Sequence, residues 1–333
     1  MTGQPIIELR GVSKRFSKPL DVAAKVANLL GAGLREEVVR AVEKVDLTVH
    51  EGEVVGLVGE SGCGKSTLGR VVAGIHQPSE GTVRYRGRDL DSLSAAEARK
   101  AALAVQMIFQ DPFASLNPRM RVSEIIGEAP RVHGIVSGAD ADRYVDDVMR
   151  RVGLDPSYRR RYPHQFSGGQ RQRIGIARAL AVKPEFIVCD EAVAALDVSI
   201  QAQVLNLFMQ LRQEYGLTYL FISHDLGVVE HLSDRVVIMY LGRVVESAAT
   251  EELFVRANHP YTRALLEEVP RIDTRRKQYE PVKGEIPSPL DPPPGCHFHP
   301  RCPFAMPRCR TEAPALREVA SGHLSACHLN DQS

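Results

Sequence analysis

The spacing of apolar and polar residues changes several times along the chain, and each change marks an element. Ile6 to Arg10 is a short strand candidate that Gly11 would end. From Leu20 to Val42 the spacing is helical. Val22, Val26, Leu30, Leu34, Val38 and Val42 recur four apart, a slowly drifting apolar stripe that Gly31 and Gly33 divide into two helices. The plain reading is an amphipathic insert packed on the domain surface. A membrane-surface helix would carry more Lys or Arg, and a Trp.

Val45 to Val49 alternates apolar with polar, as a strand with one solvated face does. Glu53–Val58, Val105–Phe109, Phe186–Asp190, Tyr219–Ser223 and Val236–Tyr240 are instead almost wholly apolar and rich in branched residues. That character predicts central strands covered on both faces. Helical spacing predicts helices over Ser66–Ala73, Arg143–Val152, Gln170–Ala181 and Ile200–Glu214. Strands alternating with helices give an α/β fold with a largely parallel sheet and right-handed crossovers. Asp111 to Gln165 is expected to be a mostly helical insertion. After Pro270 the composition shifts, and Lys283–Gly295 is a proline-rich, semi-rigid connector.

Composition narrows this little. Apolar residues make up 44% and charged residues 25% of 333, ordinary values for a chain that builds a core. Lys plus Arg is 42 against 41 for Asp plus Glu, so no global field favours nucleic acid or anionic lipid. No apolar run approaches the ~18 residues that cross a bilayer, and MTGQPIIELRG lacks the layout of a signal peptide. The expectation is a cytoplasmic chain whose membrane role comes through partners. Four of its six cysteines, Cys296, Cys302, Cys309 and Cys327, crowd the final stretch. In a reducing compartment such a cluster reads first as metal-binding.

Candidate chemistry begins with Gly59-Glu-Ser61-Gly62-Cys63-Gly64-Lys65-Ser66-Thr67, a G-x-x-x-x-G-K-[ST] loop between a strand and a helix. Gly62 and Gly64 let backbone N–H groups turn inward around phosphate oxygens, and the helix dipole adds positive potential. Lys65 can reach the β- and γ-phosphates of ATP, and the Ser66 hydroxyl can ligate Mg²⁺. Cys63 reads as a small filler. A chance match in a chain of this length is on the order of one per cent. The strand Phe186–Asp190 runs into Glu191. It would place Asp190 at the carboxyl edge of the sheet as a Mg²⁺ ligand, with Glu191 as the base acting on the attacking water.

Phe166–Gln170 reads FSGGQ. With the preceding motifs it resembles the LSGGQ signature of ATP-binding-cassette (ABC) ATPases, a family with a P-loop NTPase sheet and a helical subdomain, here over about 111–180. The resemblance covers about residues 6–270. It implies that Ser167, Gly168, Gly169 and Gln170 meet the γ-phosphate of ATP held by a partner subunit. It also implies that Gln110 is the Q-loop glutamine on Mg²⁺, that Ala195, Leu196 and Asp197 form the D-loop, and that His224 is the switch histidine. Phe16 would stack on adenine. The chain departs from the family where AVAALD follows Glu191, with Ala192 and Ala194 in place of the usual Pro and Ser. Little effect on chemistry is expected.

The tail narrows the family. HPYTRALLEEVP (His259–Pro270) and the run from Lys283 to Cys309 resemble the C-terminal region of oligopeptide, dipeptide and nickel importer ATPases, and the insert between Phe16 and Val42 is similar to their second ATPase subunit. That implies an ABC nucleotide-binding domain over 1–270 and a small Cys-rich metal-binding module over 271–333. It also implies a related ATPase subunit as partner, two transmembrane permease subunits, an extracytoplasmic substrate-binding protein, and a place on the cytoplasmic face of the membrane. The cysteines stand without the tight pairs of structural zinc. They suit a [4Fe-4S] cluster, with Zn²⁺ kept open by His297, His299, His323 and His328, and disulfides or bare thiols as the remaining alternatives. Peptides lead as the cargo of an ATP-hydrolysing importer subunit, with nickel chelates or other small solutes as the alternative; a soluble ABC ATPase of translation or repair, an exporter cassette and a metal-dependent regulator are the competing readings from other classes. Each lacks a feature this chain has, or expects one it lacks.

Overall fold

In a computed structural model, residues 3–19, 28, 36–268 and 284–331 are described. The strands are β1 (Pro5–Lys18), β2 (Glu37–His50), β3 (Val54–Val58), β4 (Glu80–Tyr85), β5 (Arg88–Asp89), β6 (Val105–Ile108), β7 (Phe186–Asp190), β8 (Thr218–Ser223), β9 (Arg235–Tyr240), β10 (Arg243–Ala249), β11 (Arg317–Ala320) and β12 (His323–Ser325). They form two sheets. An antiparallel sheet has the order β2-β1-β4-β5, and an eight-stranded one runs β11-β12-β10-β9-β3-β8-β7-β6. Within the latter β9, β3, β8, β7 and β6 are parallel, and β10, β12 and β11 extend it antiparallel. The helices that matter for the site are α1 (Lys65–Val72), α2 (Ala95–Ala104), α3 (Val122–Val132), α4 (Ala141–Arg151), α5 (Gly168–Leu180) and α6 (Val198–Tyr215).

The apolar runs read as central strands are buried along their whole length in β3, β7 and β8. Alternate residues serve opposite faces, as strand geometry requires. Ile187, Cys189, Tyr219 and Phe221 pack with Phe208 of α6 and with Ile125, Val148 and Ile174 of the helical layer. Val188, Leu220 and Ile222 pack on Leu68 and Val71 of α1 and on Ile7, Leu9, Val45 and Val49 of the antiparallel sheet. The expected α/β fold is therefore found, with that antiparallel sheet added as a layer the spacing did not reveal.

Two expectations are corrected. Residues 37–42 are strand, not helix. They pair with β1 through Phe16↔Val39 and Ser17↔Val38. Positions four apart share a face in a strand as well as in a helix, so Val38 and Val42 satisfied both periods. The stripe before them, Val22 to Leu34, lies outside the described residues. Gly11 does not end β1. It sits at φ 57°, beside a register shift between Leu9 and Val12, and so marks a bulge within a longer strand.

The C-terminal stretch builds onto the main sheet. β12 pairs with β10 through Glu246↔Ser325, and the fully buried Glu246 carboxylate joins three segments. It accepts from the Asn258 N–H at 2.5 Å and the His259 N–H at 3.0 Å, and meets His323 Nε2 at 2.7 Å. Removing it would leave buried donors unpaired. Glu246→Ala is expected to cost about 3 kcal/mol and to lower the midpoint of thermal unfolding; an unchanged midpoint would contradict the joint.

Candidate active site

Parallel strands end on a common edge, and four of them deliver the site there. β3 leads into the glycine loop, β6 toward Gln110, β7 into Asp190 and Glu191, and β8 into His224. Gly64 stands at φ 105°, just ahead of α1. A Cβ there would lie 2.0 Å from the Ala41 carbonyl oxygen, and one at Gly59 2.1 Å from that of Met239. The loop thus closes only with glycine at both positions. Ser61 and Gly62 face solvent, and Thr67 is half-buried on α1.

Lys65 is buried, and its Nζ donates to the Gly59 and Glu60 carbonyls at 2.7 and 3.0 Å. Cys63 fills the space beneath, its thiol pushed up by burial, in keeping with a filler. Ser66 Oγ donates to Asp190 Oδ1 at 2.7 Å, so the two candidate Mg²⁺ ligands, 124 residues apart, are adjacent. Burial holds the Asp190 carboxyl above its ordinary range. Ser66 opposes this first, then the charge of Arg70, while Glu191 reinforces it.

Glu191 is the meeting point of three elements. Gln110 Nε2 donates to its Oε2 at 2.8 Å, and His224 Nδ1 lies 3.4 Å from the same oxygen. Its backbone has φ 46°, a left-handed conformation that costs a non-glycine residue roughly 1–2 kcal/mol. The Glu191 N–H bonds the Ile222 carbonyl of β8 at 3.0 Å, which helps hold that turn. An open cleft of about 450 Å³ lined by Arg70, Phe109, Gln110, Asp111 and Asp190 adjoins this group. Arg70 was missed in the sequence. It follows Ser66 by four residues on α1, so the two share a face, a signal that was available.

Other candidates lie apart. Ser167 caps α5, its Oγ accepting from the Gln170 N–H at 3.3 Å while Gln170 Oε1 accepts from the Ser167 N–H at 3.1 Å. Gly168 and Gly169 form the first turn of α5, where a Cβ at Gly169 would meet Ile200 Cγ2 at 2.4 Å. These side chains make no hydrogen bond to the glycine loop of their own chain. Phe166, the departure from leucine, is buried against Tyr158, with ring centroids 6.1 Å apart. Asp197 caps α6 by accepting from the Ile200 N–H at 3.0 Å. Ala192 is buried, while Ala194 and Ala195 are exposed. Phe16 is 39% exposed, with Lys14 Nζ 5.2 Å from its ring centroid and the His76 ring in a T-shaped contact at 5.5 Å.

The four tail cysteines form no disulfide. Burial raises Cys296 to about 11, and the charges of Cys309, Cys327 and Cys302 add to the shift. Cys302 and Cys327 are raised for the same first reason. The Cys296 N–H bonds the Cys309 carbonyl at 2.8 Å. Yet among the described residues no three of His, Cys, Asp and Glu come close enough to hold a metal ion, so the expected metal-binding module has no preformed site. The histidines that kept zinc open are engaged elsewhere: His297 with the Leu241 carbonyl, His323 with Glu246, and His328 with the Glu312 carbonyl. His299 Nδ1 lies 3.0 Å from the Cys296 carbonyl.

Residues 42–194 match the ABC transporter family, and residues 245–309 match the oligopeptide/dipeptide transporter C-terminal region. The chain is 48% identical to an oligopeptide transport ATP-binding protein, AppF, of Bacillus subtilis (strain 168), over 98% of each chain. It is 52% identical to the putative oligopeptide transport ATP-binding protein YkfD of the same organism, over 89% of this chain and 91% of that one. A putative peptide import ATP-binding protein of Brucella ovis is 48% identical over 98% of each. Among solved structures it is similar to the ATP-binding cassette MJ0796 in a dimeric post-hydrolysis state bound to ADP and Pi, with TM-score 0.61 and 27% identity over 73% of this chain and 98% of that one. For cbiO1 of Clostridium perfringens the TM-score is 0.62, at 24% identity, over 76% of this chain and 92% of that one, a likeness of fold.

Gly64→Ala should force the loop away from Ala41 and weaken binding of a fluorescent ATP analogue by about tenfold or more, the scale of left-handed strain alone. Unchanged affinity would show that the loop does not need its observed path.

Proposed function

The chain belongs to the ABC transporter family, and from that membership we propose how its site works as the ATP-binding, ATP-hydrolysing subunit of a peptide importer. The observation that carries the reading is the convergence on one sheet edge of the Lys65 loop, the Ser66–Asp190 pair and the Gln110–Glu191–His224 group. The loop amides and Lys65 bind the ATP phosphates, and Phe16 stacks on the adenine. Ser66, Asp190 and Gln110 are a hard oxygen set that fits Mg²⁺, which when bound neutralises charge on the β- and γ-phosphates. Glu191 accepts a proton from the attacking water, and His224 and Gln110 fix which oxygen of its carboxylate faces that water.

Ser167, Gly168, Gly169 and Gln170 point their helix terminus at the ATP of a second ATPase subunit, and Asp197 lies at that junction. Support comes from the separation of this turn from the glycine loop of its own chain, and from the dimeric state of the related cassette. Two permease subunits and an extracytoplasmic binding protein complete the assembly at the cytoplasmic face of the membrane, and closure of the paired ATPases moves the permeases. The link to the membrane is a peripheral one, through the permeases; among the described residues no helix is long and apolar enough to cross a membrane. Peptides are the cargo, in line with the names of the close relatives.

In the tail, Cys296, Cys302, Cys309 and Cys327 would be the ligands of a [4Fe-4S] cluster, with Zn²⁺ as the alternative, and would have to draw together to hold it. The engagement of His297, His323 and His328 elsewhere favours the thiolate-only set. Its part is structural.

Glu191→Gln should lower ATP turnover by about 10²- to 10⁴-fold while ATP still binds and holds two ATPase subunits together. Turnover at the unmodified rate would remove Glu191 as the base. Anaerobically purified protein should contain iron and acid-labile sulfide in equal amounts. Stoichiometric zinc without iron would decide for the alternative.

A further inference from the structure

The second residue of the glycine loop, Glu60, is held by residues far along the chain. Arg301 Nη1 donates to its Oε2 at 2.7 Å and Nη2 to its Oε1 at 2.9 Å, a two-pronged pair between residues 241 apart. The Arg301 side chain is 4% exposed, and the Tyr240 hydroxyl lies 3.4 Å from Nη1. The Glu60 N–H donates to Tyr261 Oη at 2.9 Å. On the other side, the Glu60 carbonyl accepts from Lys65 Nζ at 3.0 Å and from the Cys63 N–H at 3.3 Å. Glu60 is therefore a junction, with the phosphate-facing backbone in front and the C-terminal stretch behind.

Arg301 closes the turn Cys296–Cys302, in which His299, Arg301 and Cys302 donate backbone hydrogen bonds to Cys296, Phe298 and His299. The docking of this stretch does not require the pair. β12 is laddered onto β10, Glu246 grips His323, and Phe298 is wedged between Tyr240 and Tyr261 at 5.3 and 5.4 Å. A buried pair of this kind returns little net stability, because desolvating two charges offsets their attraction. What it does supply is geometry, since a guanidinium fork fixes a carboxylate in both distance and plane.

We propose that Arg301 is a positioning residue for the phosphate loop, coupling order in the cysteine-bearing turn to nucleotide binding through Glu60. The proposal rests on the reading that this loop binds ATP. Because coupling between sites is reciprocal, nucleotide on the loop steadies the turn, and a disordered turn weakens the grip on nucleotide.

The test uses the full chain, with MgADP as probe, read by hydrogen exchange and by binding affinity. In the unmodified protein, MgADP should slow exchange both in the loop and in Phe298–Cys302. Arg301→Met should weaken MgADP binding by about tenfold, the scale of coupling within one ion-pair network, and abolish the slowing at Phe298–Cys302. Glu60→Gln should do the same, with the double variant no worse than either single one. Arg301→Lys should fall between, since an ammonium cannot fork. In steady state the loss should fall on the KM for ATP rather than on kcat. If Arg301→Met does not fold, the exchange pattern of the unmodified chain and Glu60→Gln decide. A folded Arg301→Met with unmodified MgADP affinity overturns the proposal, as does MgADP that protects the loop but not the turn. If the unmodified chain binds no MgADP at all, the nucleotide reading fails first and takes this proposal with it.

Discussion

Parallel pairing of β3, β6, β7 and β8 is the constraint on which the rest depends. Strands that run the same way must end on the same edge, so residues separated by 33 to 124 positions emerge side by side. Ser66 reaches Asp190, and Gln110 and His224 reach Glu191, because Ile108 pairs with Cys189, Asp190 with Ile222, and Val58 with Ser223. A slip of one residue in any of these ladders would turn a site residue to the opposite face of the sheet. The full burial of β3, β7 and β8 opposes such a slip, since both faces are packed.

The site built there concentrates charge. Asp190 and Glu191 are neighbours at the end of one strand, and burial already disfavours the Asp190 anion. Arg70, Lys65 and the Ser66 hydroxyl offset this from α1 and the loop before it. The Glu191 backbone is strained, and the structure sustains the strain by fixing its N–H on β8 and its carboxylate between Gln110 and His224.

The C-terminal stretch is joined to this machinery more closely than its composition implies. It lengthens the main sheet by two strands, plugs an aromatic cluster with Phe298, and reaches the glycine loop with Arg301. Among the described residues its four thiols form no closed ligand set.

The sequence by itself determined the parts that local chemistry dictates. Short apolar runs rich in branched residues mark strands buried on both faces, and glycines around Lys65 mark a tight amide-lined loop. Tertiary structure decided what depends on partners distant in the chain. Val38 and Val42 fit either a helix or a strand until β1 was there to pair with them, and Gly11 could end or bulge a strand until β2 fixed the register. The short polar strands β4, β5, β11 and β12 carry no period of their own and exist because a neighbouring edge offers hydrogen bonds. Nothing in the spacing around Arg301 marks it as the residue that folding buries against Glu60. Spacing records which face a residue takes, but the residue that meets it there is chosen by the sheet.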